Sequence, residues 1–213
     1  LHTSWINIPH VTQHDECDLS ELLALRPRLK TKHELKISPL AFIAKVTAEV
    51  LEEFPMLNSS LDQGLEKIAI KNYVNMGIAV DTPEGLIVPY IKNVQEKSIL
   101  NIAEEIIMLA SAAKTRKLKI PDLKGASFTI SSLGAIGGKF FTPIINPPEV
   151  GILGLSKTFA KVVTKNDGFE SRECLPLSLS YDHRVINGVY AAQFVTQLGA
   201  ALGDTSLMEK NFK

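Results

Sequence analysis

Leu175, Leu177, Leu179 and Tyr181 alternate with Pro176, Ser178, Ser180 and Asp182, the period-2 pattern of a half-buried strand. His183 continues in the apolar parity, so a strand carried through it would turn this imidazole towards the packed side. Asn187-Gly188 then opens a run of Val189, Ala191, Ala192, Phe194, Val195, Leu198, Ala201 and Leu202. That spacing is the 3.6 period of an amphipathic helix, with Asn187 as its natural N-cap. A histidine set between a strand end and a helix start is held by backbone on both sides and can still reach a cleft. A lone histidine beside a core is more often structural, so the functional reading needs a second stretch.

Earlier in the chain, Ile6 to Gln13 reads as a short strand that Pro9 pushes towards a sheet edge. Asp18-Leu-Ser-Glu21 has the look of a helix start, with Leu19, Leu22, Leu23 and Leu29 at helical spacing, and Thr31 to Lys36 reads as a charged connection. Ser38 as N-cap and Pro39 at the first helical position predict a helix. Its apolar face is Leu40, Ile43, Val46, Ala48, Val50 and Leu51, and Phe54-Pro55 ends it. Ile68 to Ile70, Tyr73 to Val80 and Leu86 to Ile91 read as strands, with Asp81 to Gly85 a turn. Ser98 to Lys117 predicts a long helix with Ile99, Ile102, Ile106, Leu109 and Ala113 inward. Lys114, Arg116, Lys117 and Lys119 gather at its end, where positive charge suits the helix dipole. Ala126 to Leu133 is a strand and Gly134 to Gly138 a flexible loop. Phe140 to Ile145 and Val150 to Leu155 are apolar runs around Pro147-Pro148, and a hairpin turn is expected near Asn166-Asp167-Gly168. With no internal repeat, this reads as one mixed α/β domain over residues 1–213.

Composition narrows the function. At 45% hydrophobic and 22% charged residues the chain can bury a substantial core. Lys plus Arg match Asp plus Glu at 23 each, so no net field points to nucleic acid or an anionic membrane. No apolar run reaches the roughly 18 residues of a membrane span. Cys17 and Cys174 lack CxxC or metal-ligand spacing, which fits a reducing cytoplasmic or matrix compartment and no metal, with one disulfide left open. The chain begins at Leu1 without a signal-peptide pattern, so it is expected to be a domain of something longer. Gly134, Gly137 and Gly138 spell GxxGG and open no helix, so they are not a dinucleotide fingerprint.

The second informative stretch is Phe128-Thr-Ile-Ser-Ser-Leu-Gly134, followed by Pro143, Asn146-Pro-Pro-Glu149 and Gly151-Ile-Leu-Gly154. Taken with Ser180-Tyr-Asp-His-Arg-Val-Ile-Asn-Gly188, Ile8-Pro-His-Val-Thr12, Pro55-Met-Leu-Asn-Ser-Ser60 and the stretch from Gly77 to Pro89, it resembles the catalytic domain of dihydrolipoamide acyltransferases. These form the E2 core of 2-oxo-acid dehydrogenase complexes, and the pattern is nearest the pyruvate (acetyl) type. The resemblance runs from about Trp5 to the C-terminus.

The resemblance implies a chloramphenicol-acetyltransferase-like fold, a mixed sheet flanked by helices, in homo-trimers that assemble into a hollow cubic or dodecahedral core. It implies transfer of an acyl group, acetyl first, between dihydrolipoamide and coenzyme A as substrates, with no metal. The lipoyl group and the contacts to E1 and E3 would belong to domains absent from this stretch. The general base of the family maps to His183. The oxyanion-stabilising serine falls by position on Ser131, with Ser132 the second choice, and neighbouring subunits supply the two sides of the site. Many relatives have Asp where this chain has Asn187, which is read as orienting the catalytic loop or capping the helix. Asn58, Ser59, Ser60 and Asp81 are candidates for the coenzyme A channel. The segment after Leu202, with Met208 and Phe212, is expected to carry contacts between trimers.

These residue types suit the chemistry. A thiol of pKa about 8.5 is only a few per cent thiolate near neutrality. A neutral imidazole can take its proton as sulfur attacks the thioester, and one well-placed donor to the oxyanion is worth roughly 3–4 kcal/mol. Neither serine sits in a GxSxG elbow, so direct transfer without an acyl-enzyme is expected. Two other readings stay open. One is an O-acetyltransferase of the chloramphenicol type, which shares the His-to-Gly motif but typically reads HHxxxDG. The other is a catalytically silent core subunit, for which Asn187 is the sole support.

Overall fold

The structure, a computed structural model, describes residues 1–33, 37–62, 64, 66–165 and 168–212, with the backbone alone for residues 28–33. The chain opens with a short helix, α1 (His2–Asn7), and a strand, β1 (His10–Asp18). Two helices follow, α2 (Ser20–His33) and α3 (Pro39–Glu53), then a small hairpin of β2 (Ser59–Leu61) and β3 (Ile68–Ile70). β4 (Met76–Ile78), a second hairpin of β5 (Val80–Thr82) and β6 (Gly85–Ile87), and β7 (Tyr90–Ile91) lead to α4 (Ile99–Lys114). The last third holds β8 (Phe128–Ser132), β9 (Gly151–Leu155), β10 (Phe159–Lys165), β11 (Gly168–Asp182), α5 (Gly188–Gly203) and α6 (Thr205–Lys210).

Seven strands make one mixed sheet in the order β1-β11-β9-β8-β4-β7, with β10 paired to the first half of β11. β8 runs parallel to β4 and β9, and the other pairings are antiparallel. α3 is the central helix: Ser38 Oγ accepts the Leu40 N–H at 3.3 Å, Pro39 sits in the first turn, and every residue from Ala41 to Ala48 is buried. A helix apolar round most of its circumference has to be covered on most sides, here by α4 and α5. Even Lys45 is enclosed, its Nζ donating to Gln95 O at 2.6 Å. Phe194 of α5 packs edge-on against Phe54 and tilted against Phe128 of β8, which locks helix layer to sheet.

The second half of β11 is buried on both faces, not half-buried as its alternation suggests. Leu177, Leu179 and Tyr181 join the main core, while Ser178 and Ser180 are fully enclosed on the other face. The serines survive there because β1 satisfies them: Ser180 Oγ lies 2.8 Å from Thr12 Oγ1 and Ser178 Oγ 2.9 Å from His14 Nδ1. The Phe141 ring covers the same face so closely that a Cβ on Gly154 would come within 2.7 Å of it.

Several elements differ from the pattern-based expectation. Ile6 lies in α1, and the strand begins at His10 and runs to Asp18. Its polar residues are tolerated because β1 is an edge, where Glu16 pairs with Lys139 and Lys161. α2 continues to His33 through part of the expected connection, of which residues 34–36 lie outside those described, as does the side chain of Leu29. The run from Tyr73 to Val80 splits at Ala79, whose N–H bonds to Ile130 O, and the run from Leu86 to Ile91 splits at Pro89, which has no N–H to pair. α4 stops at Lys114, ahead of Arg116 in the left-handed region at φ 57°, where Arg116 pairs with Glu84. β10 and β11 pair antiparallel with Lys165 opposite Gly168, and the expected turn at Asn166 and Asp167 lies outside the described residues. Met208 and Phe212 are buried in the chain's own core, Phe212 stacking on Phe42 at 6.4 Å, so these two side chains are not displayed for contacts between trimers. Cys17 faces Leu175, one residue beyond Cys174, so the register puts the two thiols on opposite faces of the sheet and no disulfide joins them. Burial pushes the Cys17 thiol up to about 12, which leaves it inert.

Candidate active site

β11 ends at Asp182 and the chain turns at once, with the Val185 and Ile186 N–H groups both bonding to Asp182 O. The Asp182 side chain is 2% exposed, yet charged, because Arg184 reaches back to it. Arg184 Nε donates to Oδ1 at 2.9 Å, Nη2 to Oδ2 at 2.6 Å, and the Arg184 N–H to Oδ1 at 3.0 Å. A bidentate pair of this kind is how a carboxylate is kept below the surface. It raises the guanidinium pKa further and clamps the residue between the two. His183 is therefore presented from a rigid turn, its N–H held by Pro9 O at 3.1 Å and its ring exposed, 6.0 Å from that of Tyr181. The strand parity stops one residue short, so the imidazole faces outward and not into the packed side.

Asn187 caps α5: its Oδ1 accepts the Tyr190 N–H at 2.9 Å. Among the described residues no hydrogen bond links it to His183.

Ser131 lies on the β8 face opposite Phe128 and Ile130. It is half-buried and lines a cavity of about 180 Å³ with Thr129, Phe141, Pro143, Ile144 and Asn146, among others. The wall from Pro143 to Asn146 has no regular secondary structure and is staked by distant side chains. His10 Nε2 accepts the Ile145 N–H at 3.0 Å, His10 Nδ1 lies 2.8 Å from Ile8 O, and Ser4 Oγ donates to Ile145 O at 2.6 Å. The acceptor at Nε2 and the carbonyl at Nδ1 assign a neutral imidazole with its proton on Nδ1. Asn146 Nδ2 donates to Glu149 Oε1 at 2.9 Å. Glu149 is 3% exposed and its Oε2 closes no hydrogen bond. Burial pushes its carboxyl up to about 7, with the Thr129 hydroxyl and Asn146 amide pulling the other way.

The other expected site residues are dispersed. Ser132, next to Ser131, is exposed on the opposite face and lines a different cavity with Ser38, Gly134 and Ser156. Asn58 is buried and pins the turn after α3, its Nδ2 donating to Lys71 O and Tyr73 O. Ser59 is buried with its hydroxyl on Met56 O. Ser60 is half-buried and forms a backbone bridge to Glu149. Asp81 is exposed in the β5–β6 hairpin opposite Leu86, which lines the Ser131 cavity. Ser131 and His183 do not meet within the chain. Ser131 is level with Gly154, and Gly154 with Ser178, five residues or about 16 Å of strand before His183. Pattern reasoning passed over His10 and Glu149, although both stand in the stretches Ile8–Thr12 and Asn146–Glu149; a carboxylate inside an apolar run was the available signal. Among the described residues no group of three His, Cys, Asp or Glu is placed to hold a metal ion, and no helix is long and apolar enough to cross a membrane.

Comparison with known proteins places this geometry in a class. The sheet and helices superpose on chloramphenicol acetyltransferase with a TM-score of 0.62 at 11% identity, over 92% of this chain and 89% of that one, which makes the fold chloramphenicol-acetyltransferase-like. Residues 1–209 match the model of the 2-oxoacid dehydrogenases acyltransferase catalytic domain, and the chain belongs to that family. It is 49% identical over 210 residues to the dihydrolipoyllysine-residue acetyltransferase component of the pyruvate dehydrogenase complex of Buchnera aphidicola subsp. Acyrthosiphon pisum, covering 96% of this chain and 53% of that protein. The chain thus spans about half the length, or less, of the curated relatives it matches. The cubic core of a pyruvate dehydrogenase multienzyme complex matches with a TM-score of 0.94 at 49% identity, over 98% of this chain and 87% of that one. Azotobacter vinelandii dihydrolipoamide acetyltransferase, studied for the role of a serine, a histidine and an asparagine in its catalytic mechanism, matches with a TM-score of 0.94 at 48% identity and the same coverage.

Proposed function

We propose that the chain transfers an acetyl group between dihydrolipoamide and coenzyme A, with His183 as general base and Ser131 as oxyanion donor. One observation carries this. The serine, histidine and asparagine named for the A. vinelandii enzyme stand 52 and 4 positions apart, which are the separations of Ser131 from His183 and of His183 from Asn187. The same spacing favours Ser131 over Ser132.

In the forward direction the coenzyme A sulfur attacks the thioester carbonyl of acetyl-dihydrolipoamide while the His183 imidazole takes the thiol proton. The new C–S bond pushes charge onto the carbonyl oxygen, where the Ser131 hydroxyl donates a hydrogen bond. Collapse breaks the bond to the dihydrolipoyl sulfur, and the imidazolium returns its proton to that thiolate. Asn187 acts through the turn, holding the start of α5 against it.

The distance between Ser131 and His183 supports a site shared by two copies, Ser131 of one facing His183 of the next. A cavity of about 180 Å³ is well below the roughly 300–1,000 Å³ of a complete small-molecule site, as a half-site would be. Trimers of the chain, assembled further into a cubic core, would complete it, with Ser60 and Asp81 along the route to coenzyme A. The dihydrolipoyl arm and the contacts with E1 and E3 come from outside residues 1–213. A cytoplasmic or matrix setting suits two free, buried thiols.

The test is acetyl transfer between acetyl-CoA and free dihydrolipoamide, with a hydroxyl acceptor run in parallel. Dithiol-dependent turnover that drops by orders of magnitude in both Ser131→Ala and His183→Ala is the expected result. Turnover with the hydroxyl alone, or activity surviving His183→Ala, overturns the reading.

A further inference from the structure

Glu149 is enclosed where a charge has no partner. Its Oε1 takes the Asn146 amide and its Oε2 has none. The cavity on its far side brings up Asp62 after β2 and Asp182 and Arg184 at the end of β11. The guanidinium there is already committed to Asp182. A carboxylate at this position is a desolvated, unpaired charge, which is costly; a carboxylic acid is not.

β8 links this group to the site. Thr129 and Ser131 are alternate residues of one strand, so they share a face and lie about 7 Å apart, and both line the cavity that Asn146 also lines. Thr129 is fully buried; its hydroxyl lies near enough to the Glu149 carboxyl to lower its pKa, although Oγ1 closes no hydrogen bond of regular geometry. Gly77, its partner on β4, leaves the room: a Cβ there would run into Thr129 Oγ1. Behind Ser131, then, the Asn146 amide, the Thr129 hydroxyl and the Glu149 carboxyl form a packed polar group that, among the described residues, holds neutral donors but no cation to offset a buried carboxylate.

We propose that Glu149 is a positioning residue for acyl transfer: as a neutral acid it holds Asn146 and Thr129 as the back wall of the Ser131 cavity and keeps negative charge away from the oxyanion. The inference rests on the acyl-transfer reading above. One strand repeat of about 7 Å from Ser131 to Thr129, plus a side-chain contact of about 3 Å, puts the carboxyl on the order of 10 Å from the oxyanion. Ionised there, at an effective dielectric of about 20, it disfavours the transition state by about tenfold. Burial pushes the carboxyl up to about 7.

The experiment compares kcat for acetyl transfer in the wild-type assembly and in Glu149→Gln from about pH 6 to about pH 8.5. Glutamine keeps the acceptor for Asn146 and cannot ionise. Thiol ionisation and titration of His183 act on both proteins alike and cancel in the ratio. The ratio of variant to wild type rises about tenfold across that range if Glu149 acts as proposed; a merely structural role leaves it flat, and a flat ratio overturns the inference. Wild type without transfer at any pH sinks the acyl-transfer reading and this inference together, whereas turnover with a flat ratio removes only the role of Glu149. Should Glu149→Gln fail to assemble, infrared titration of glutamate-labelled wild type decides. A protonated-carboxyl band that vanishes as the pH rises through about 7 supports the inference, and no such band overturns it.

Discussion

His10 Nε2 accepts the Ile145 N–H at 3.0 Å, and through this bond the start of β1 holds the wall of the cavity that contains Ser131. Ile145 is fully buried, so without the imidazole its N–H has nowhere to go. His10→Ala is expected to cost about 1–3 kcal/mol, the desolvation penalty of an orphaned donor, and to reduce acetyl transfer by loosening the segment from Pro143 to Asn146. Thermal unfolding reads the first effect. Amide exchange at Ile145 reads the second: protection there should fall well before that of β9, and unchanged protection would show that Ser4 alone suffices to hold the wall.

Arg184 is expected to matter for a different reason. It neutralises Asp182, whose carboxylate is 2% exposed, so Arg184→Met strands a buried charge and should destabilise by about 3 kcal/mol. Arg184→Lys offers one point charge in place of a planar fork and should recover only part of that. Denaturant unfolding of the two variants separates the cases, and equal stability of wild type and Arg184→Met would mean that Asp182 is hydrated in the assembly.

These relationships set the limit of what the pattern of residues can convey. α3 and α5 were legible because each carries its own start signal, Ser38-Pro39 and Asn187-Gly188, and a 3.6 period fixed by local geometry. β1 was legible only as far as Gln13, because residues 14–18 are polar apart from Cys17 and are held as a strand by partners distant in sequence, β11, Lys139 and Lys161. The outward turn of His183 depends on the Asp182–Arg184 clamp, which alternation cannot encode. Ser131 and His183 were found as motifs, but that they lie on opposite parts of the sheet follows only from register. The raised pKa of Glu149 is a property of packing around Asn146-Pro-Pro-Glu149 and has no signature in the residues alone.

Ser131 and Ser132 make a sharp pair of controls, since adjacent strand residues face opposite ways. Removing an oxyanion donor costs about 10²–10³ in kcat, so Ser131→Ala should fall by that factor while Ser132→Ala stays within about threefold. Steady-state kinetics on both variants settles the choice. The reverse order would move the acyl-transfer cavity to the face shared with Ser38 and Ser156.

Asn187 caps α5 through an oxygen that Asp also possesses. Asn187→Asp should therefore retain the cap and much of the acetyl transfer, whereas Asn187→Ala should lose about 1 kcal/mol of stability. Melting curves and kcat for the two variants give the answer. A loss of several orders of magnitude in Asn187→Asp would mean that the amide N–H₂, and not the cap, is what the site needs.

Glu149 also leaves a mark on stability that does not depend on turnover. Its folded carboxyl is pushed up to about 7 from an ordinary 4.5, so the folded state binds more protons than the unfolded one between these values. The sign follows: stability is full below about pH 4.5, falls as the pH rises towards 7, and is lost above it. A shift of this size corresponds to about 3 kcal/mol. Glutamine cannot ionise, so Glu149→Gln should be more stable than wild type at about pH 8 and nearly equal to it at about pH 5. Denaturant melts at the two pH values measure the difference. An equal offset at both would mean that the carboxyl is ionised, or solvated, throughout.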